Sequence, residues 1–345
     1  MLTHIQILRF IAAFAVVAFH AWGVAPNYIR MPEHANPFGL TEFGHGVDLF
    51  FVISGFIIFY ATHRAQPTSA AFLRQRIERV VPLYFAVTFA VTALALTWPE
   101  WFASDGWYTP RHILKSLAFI AFTDGDMPVV YVGWSLEFEM FFYLAAALMM
   151  AFTEKPWRNL VVLFALLPIA GALPGVAMAL GNYAFFTDAL LLEFTLGVVA
   201  GHLFVTRRLD GPMAFSVFLA VAMLLARDPT SRALLYGLPS AALVFGAAVL
   251  SRHRPDPSGP ERALARLGDA SYSIYLAQVQ TVSFAARLMG AAFPSISPYA
   301  LVLLVSGLVT LLGLALNIAV EKPLLRLCRN FANRRSSPAP ALPGS

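Results

Sequence analysis

The 345-residue chain is poor in cysteine and in charge. Cys328 stands alone near the C-terminal end, so no internal disulfide can form and redox chemistry has no partner thiol. Charged residues make up 12% of the chain, whereas soluble domains carry about 25%, so an ordinary water-surrounded fold is excluded. Alternating strand-length segments are missing, which excludes an outer-membrane barrel. Phosphate-binding loop, dinucleotide fingerprint, HExxH helix and GxSxG elbow are absent too. His34, His45 and His112 lack metal-ligand spacing, so no metal site is expected. No internal repeat is evident, which argues against a repeat-built transporter. The net charge of +5 does not imply nucleic acid.

What the chain has is apolar blocks. Hydrophobic residues make up 59% of it and recur in runs long enough to cross a bilayer, so the expected class is an all-α, polytopic membrane protein. About ten transmembrane helices are expected, at 5–24, 46–62, 79–98, 129–152, 159–174, 185–205, 213–226, 233–250, 270–290 and 298–320. The shorter stretch 112–123 reads as interfacial or re-entrant. An even number of spans puts both termini on one side. If that side is the cytoplasm, only Arg30, Arg111, Lys115, Arg227, Arg232 and Arg287 of the 24 Lys plus Arg fall outside, and the other 18 fall inside. The positive-inside rule supports that orientation. The first segment carries Arg9 and His20 and lacks a small-residue cleavage site, so it reads as a retained helix. Residues 1–330 form one membrane domain in this reading, and 331–345 a disordered Pro/Ser/Ala-rich cytoplasmic tail.

Arg9 and His20 bracket an otherwise apolar stretch, FIAAFAVVAF. Eleven residues of helix are about 16 Å and close to three turns, so the two groups share a face at different depths. Titratable groups at membrane depth are costly and line cavities or reaction paths, although an interfacial Arg can also snorkel. Asp48, near the start of the second span, is expected at the same outer level as His20. There it either raises and orients the imidazole as a general base or caps its own helix. The fourth span begins GWSLEFEMFFYL and holds Glu137 and Glu139. Two positions are about 200° of helix rotation, so only one of the two acids can face a shared cavity. Trp134 is an interfacial anchor or a sugar-stacking face. Trp134, Ser135, Glu137, Tyr275 and the intramembrane Glu193 form the candidate acceptor-binding set. Arg74, Arg76 and Arg79, in the stretch after the second span, read as phosphate ligands or as positive-inside charge beside lipid headgroups.

Together these motifs resemble the bacterial membrane acyltransferase family three, in its exopolysaccharide and O-antigen O-acetyltransferase branch. The resemblance covers about residues 3–330. It rests on Arg9 with ten residues before His20, on GVDLFFVISGFII, FLRQRIERVVPLY, GWSLEFEMFFYL and LGDASYSIYL, and on the terminal EKP at Glu321–Pro323. The resemblance implies transfer of an acyl group, usually acetyl, from cytoplasmic acetyl-CoA to a carbohydrate hydroxyl presented outside. The acceptor would be an exported polysaccharide or its lipid-linked precursor. Residue by residue, His20 matches the catalytic histidine, Arg9 its motif partner, Arg76 and Arg79 the loop arginines of the acyl-CoA end, and Glu139 the acid of the GWSL motif. Gln278 stands where relatives often carry a histidine, so no proton-transfer role is carried over to it. The expected catalytic set is therefore His20, Asp48 and Glu139, with Arg9, Arg74, Arg76 and Arg79 on the acyl-CoA. The expected location is the bacterial cytoplasmic membrane, amid lipids and polysaccharide export proteins. The rival reading is a transporter or flippase for a lipid-linked sugar, its buried acids and histidine relaying protons.

Overall fold

A computed structural model describes residues 2–31, 39–101, 107–207 and 232–336. The expected span 213–226 and His34 lie outside those residues. Among the described residues all regular structure is helical. In chain order the helices are α1 (Thr3–Val24), α2 (Gly46–Ala65), α3 (Ser69–Thr97), α4 (Pro110–Leu117), α5 (Trp134–Phe152), α6 (Pro156–Gly171), α7 (Val176–Leu180), α8 (Leu191–Thr206), α9 (Leu238–His253), α10 (Gly259–Asp269), α11 (Ser271–Ala292), α12 (Pro298–Leu316) and α13 (Lys322–Ser336).

Seven helical stretches are long and apolar enough to cross a bilayer: Thr3–Asn27, Leu40–Ala65, Ser69–Thr97, Tyr131–Phe152, Val176–Thr206, Ala233–His253 and Pro298–Asn330. The protein is a multi-pass helical membrane protein. Two of the ten expected spans have other characters. The sixteen residues of α6 are short for a crossing. The 22-residue α11 is long enough but carries Gln278, Gln280, Arg287 and several hydroxyls, so it falls short in apolarity. The stretch expected to be interfacial holds an eight-residue helix, α4, started by the Thr109 side chain accepting from the His112 amide, and then a short 3-10 turn at Ala121–Asp124. The last helix continues to Ser336, into the segment expected to be a disordered tail, and 337–345 lie outside the described residues.

The Arg74–Arg79 segment, expected as a connection, is helical. Thr68 caps α3 through the Ala71 amide, and the helix then runs through all three arginines before reaching its apolar portion. Close backbone contact holds the centre of the bundle. A Cβ on Gly55 would run into the Phe194 carbonyl oxygen, and one on Gly197 into that of Val52, so α2 and α8 meet where neither has a side chain. Aromatic rings fill the space beside this crossing: Phe142 stacks on Phe194 at 4.6 Å, and Phe51 lies 4.7 Å from Phe194.

One packing detail sets the depth of everything on α2. Before that helix the chain folds back along α1 in a short 3-10 stretch (Leu40–His45), with Gly44 against the Phe19 ring. Gly46 then sits on α1 so closely that a Cβ would come within 2.7 Å of the Ala12 carbonyl and 2.9 Å of Val16. The start of α2 is therefore level with Ala12–Val16, and not with His20.

Candidate active site

Two centres emerge, one charged and one neutral. The charged centre is a cavity of about 590 Å³ between α1, α2, α3, α5, α11 and α13. Five arginines line it (Arg9, Arg74, Arg76, Arg79 and Arg329) against two carboxylates, Glu78 and Glu139. Arg74 and Arg329 are exposed at its mouth. Arg74 pairs with Glu78 at 3.6 Å, one helical turn on. Deeper in, Arg9 donates to Gln6 at 3.0 Å. Asp269, at the end of α10, is within electrostatic reach of Arg9; burial pushes its carboxyl up and the guanidinium draws it back down.

Arg79 and Arg76 differ in how they are held. Arg79 donates to buried Glu321. The second oxygen of Glu321 accepts from Asn317 at 2.7 Å and from the Ser273 hydroxyl, so this carboxylate is fixed on three sides. A π-helical turn at Asn317–Glu321 puts Asn317 and Glu321 within reach of each other. Arg76, by contrast, has a buried Nε with no hydrogen-bond partner among the described residues. Arg76 also lines the cavity, so its guanidinium belongs to the same positive wall as Arg9, Arg74, Arg79 and Arg329.

Of the two acids on α5, Glu139 faces the cavity and Glu137 does not, as the rotation between them requires. Glu139 accepts from the Ser54 hydroxyl at 2.5 Å and from Tyr143. Glu137 is buried on the other side and accepts from the Ala121 amide at 2.7 Å, which anchors the turn after α4. At the inner end of the cavity, Tyr275 and Phe50 form a barrier. Their rings meet edge to face at 5.8 Å, and the Tyr275 hydroxyl bonds Ser135 at 2.8 Å and the Val132 carbonyl at 3.0 Å.

The neutral centre lies one helical turn beyond that barrier. His20 is half-buried, with Phe19 at 5.1 Å and the Tyr131 ring edge-on at 5.2 Å. Its Nδ1 is 2.9 Å from Oε1 of Gln278, and Gln278 is fully buried. No carboxylate, Lys or Arg bonds to it among the described residues.

The expected pairing of His20 with Asp48 is corrected here. Asp48 starts α2 about two turns below His20, because Gly46 is pressed onto Ala12. Its oxygens accept from Arg232 at 2.8 and 2.9 Å and lie 3.1 Å from His45. Glu193, expected to bind substrate, is fully buried beside the same arginine at 4.0 Å and does not line the cavity. Trp134 packs its ring edge-on against Phe51 and Phe138, also away from the cavity. The cavity thus gathers Arg9, Arg74, Arg76, Arg79, Ser135, Glu139 and Tyr275, and leaves out His20, Asp48, Trp134, Glu137 and Glu193. Sequence reasoning gave no role to Ser54, Tyr143, Arg232 or Glu321. Ser54, Tyr143 and Glu321 had a signal, their places in the GVDLFFVISGFII, GWSLEFEMFFYL and EKP motifs; Arg232 had none. Among the described residues, no group of three or more His, Cys, Asp or Glu is placed to hold a metal.

The fold is thus a multi-pass helical bundle with an arginine-lined cavity and a separate, half-buried histidine, and comparison with known proteins gives its class. The family model described as an acyltransferase domain matches residues 2–318, and the chain belongs to this membrane acyltransferase family three. It is 35% identical over 301 residues to the exopolysaccharide production protein ExoZ of Rhizobium meliloti (strain 1021), covering 81% of this chain and 89% of that protein. It is 25% identical over 376 aligned positions to the acyltransferase MdmB of Streptomyces mycarofaciens, covering 97% and 94%. No solved structure matches the chain.

Proposed function

We propose that this protein takes an acyl group, acetyl in the first instance, from cytoplasmic acyl-CoA and transfers it to a carbohydrate hydroxyl. The acceptor is an exported polysaccharide or its lipid-linked precursor at the bacterial cytoplasmic membrane. The observation that carries the reading is the cavity lined by five arginines. A polyphosphate nucleotide brings negative charge to a wall where guanidiniums outnumber carboxylates even after Glu321 is paired with Arg79 and Asp269 is set near Arg9. The relative named for exopolysaccharide production supports the class of acceptor.

In this mechanism Arg76 and Arg79 hold the phosphates, with Arg74 and Arg9 completing the positive field. The donor's thioester arm rises toward Tyr275 and Ser135, and the Phe50–Tyr275 barrier yields to let the acyl carbonyl reach His20. His20 removes the proton from the sugar hydroxyl; the oxygen attacks the thioester carbon, the C–S bond breaks, and the sulfur takes the proton back from His20. Ester and thiol are the products, and charge and atoms balance. Water exclusion by the aromatic surround favours the sugar over hydrolysis.

The test is labelled acetyl-CoA supplied to membranes containing the protein together with polysaccharide. Covalent label should appear in the polymer and vanish with His20→Ala while the protein still inserts. Uptake of solute without covalent labelling would support the transporter reading instead, and near-normal acylation by His20→Ala would remove His20 from the mechanism.

A further inference from the structure

We infer that Gln278 is the positioning residue for His20: it fixes the imidazole as the Nδ1–H tautomer, so that Nε2 carries the lone pair that accepts the substrate proton. The inference rests on the proposed function above and deepens it. It starts from an atom that can only accept. The Tyr275 backbone carbonyl lies 2.9 Å from Nε2 of Gln278, so that end of the side chain must be the NH2 group. The other end, Oε1, is then an acceptor facing His20 Nδ1 at 2.9 Å. Two acceptors cannot bond each other, so Nδ1 must carry the hydrogen. In a neutral imidazole that leaves Nε2 unprotonated.

Both bonds are protected from competing water. Gln278 is fully buried, and its anchor is the backbone of its own helix, one turn earlier. The amide therefore cannot flip without leaving the Tyr275 carbonyl and the histidine mismatched at once. The same residue ties the base to the barrier, because Tyr275 supplies both the carbonyl that orients Gln278 and the hydroxyl that bonds Ser135 at the cavity wall. The choice of an amide also matters chemically. A carboxylate beside Nδ1 would stabilise the imidazolium; a neutral amide orients the ring without adding charge. Among the described residues, the titratable group in ring contact with His20 from a neighbouring element is Tyr131.

Gln278→Met keeps the length of the side chain and removes both hydrogen bonds. Its expected effect is a loss of about 10- to 100-fold in kcat, as when a histidine loses its orienting partner, with KM for acetyl-CoA within about twofold because position 278 is outside the arginine cavity. A second readout does not depend on turnover. In full-length protein in lipid nanodiscs labelled with 15N-histidine, the difference spectrum against His20→Gln isolates His20, which should be the Nδ1–H tautomer in the wild type and a mixture in Gln278→Met. An Nε2–H signal in the wild type, or a Gln278→Met enzyme with unchanged kcat, overturns the inference. Failure of the proposed function looks different: acylation then survives His20→Ala. Failure of this inference alone leaves His20→Ala dead and Gln278→Met fully active.

Discussion

The cavity and the histidine are separated by one turn of α11, yet they are built from opposite materials. The cavity wall is guanidinium and carboxylate, cross-tied by Glu139, Glu321 and their hydroxyl partners. The surround of His20 is aromatic rings, one side-chain amide and the Val16 backbone one turn earlier on its own helix. A charged ligand needs fixed opposite charge to leave water, whereas an amide can orient a neutral imidazole without adding charge. Under the proposed function, the difference assigns donor binding and proton transfer to separate centres, with Tyr275 touching both.

The separation can be broken by experiment, and the largest effect should come from the neutral side. His20→Ala is expected to lower kcat by about 10²–10⁴-fold, the usual contribution of a general base, with acyl-CoA affinity unchanged. Arg76→Ala comes next on the charged side. Losing charge-assisted bonds worth roughly 1.5–3 kcal/mol should raise KM for acyl-CoA about 10- to 100-fold and leave kcat nearly intact. Titrating donor concentration in both variants separates the two patterns; if both variants lost kcat equally, the two centres would be one.

A third variant addresses the ion pair that stands apart from both. Asp48→Asn should leave kcat within about twofold per folded molecule, since Asp48 bonds Arg232 and His45 and not His20. It should lower thermal stability by about 1–3 kcal/mol, a buried-pair loss discounted for the partly exposed Arg232. A large kcat defect at full stability would put Asp48 back beside His20. The smallest effect lies at the rim. Hydrogen bonds from the Ser258 backbone and hydroxyl, then from His4, hold the Glu261 carboxyl at about 2, below the ordinary 4.5. A depressed carboxyl adds stability that is full above about pH 4.5 and drains as pH falls toward 2. Glu261→Gln should therefore weaken the protein slightly at neutral pH, flatten its acid-denaturation limb and spare catalysis, which thermal melts from pH 7 downward would check.

Much of the charged centre was legible in the residues. Arg76 and Arg79 fall on one face at three-residue spacing, and a 200° rotation separates Glu137 from Glu139, so one acid had to turn away. The histidine's surroundings were not legible. Asp48 looked level with His20 because spans were counted as if each began at the membrane surface. The fold-back of residues 40–45 against Phe19 lowers the whole of α2 by about two turns, and nothing in the local pattern announces it. Arg232 lies 184 positions from Asp48, and Gln278 lies 258 from His20, distances at which periodicity carries no information.

By itself the sequence determined the helical membrane class, the family and the identity of the charged groups, because apolar run length, charge scarcity and short motifs are local properties of a chain. Only the tertiary structure decided which acid meets which base. That choice depends on the depth at which one helix seats against another, and depth is set by backbone contacts such as Gly46 on Ala12 and Gly197 on Val52, where the missing side chain lets two helices close.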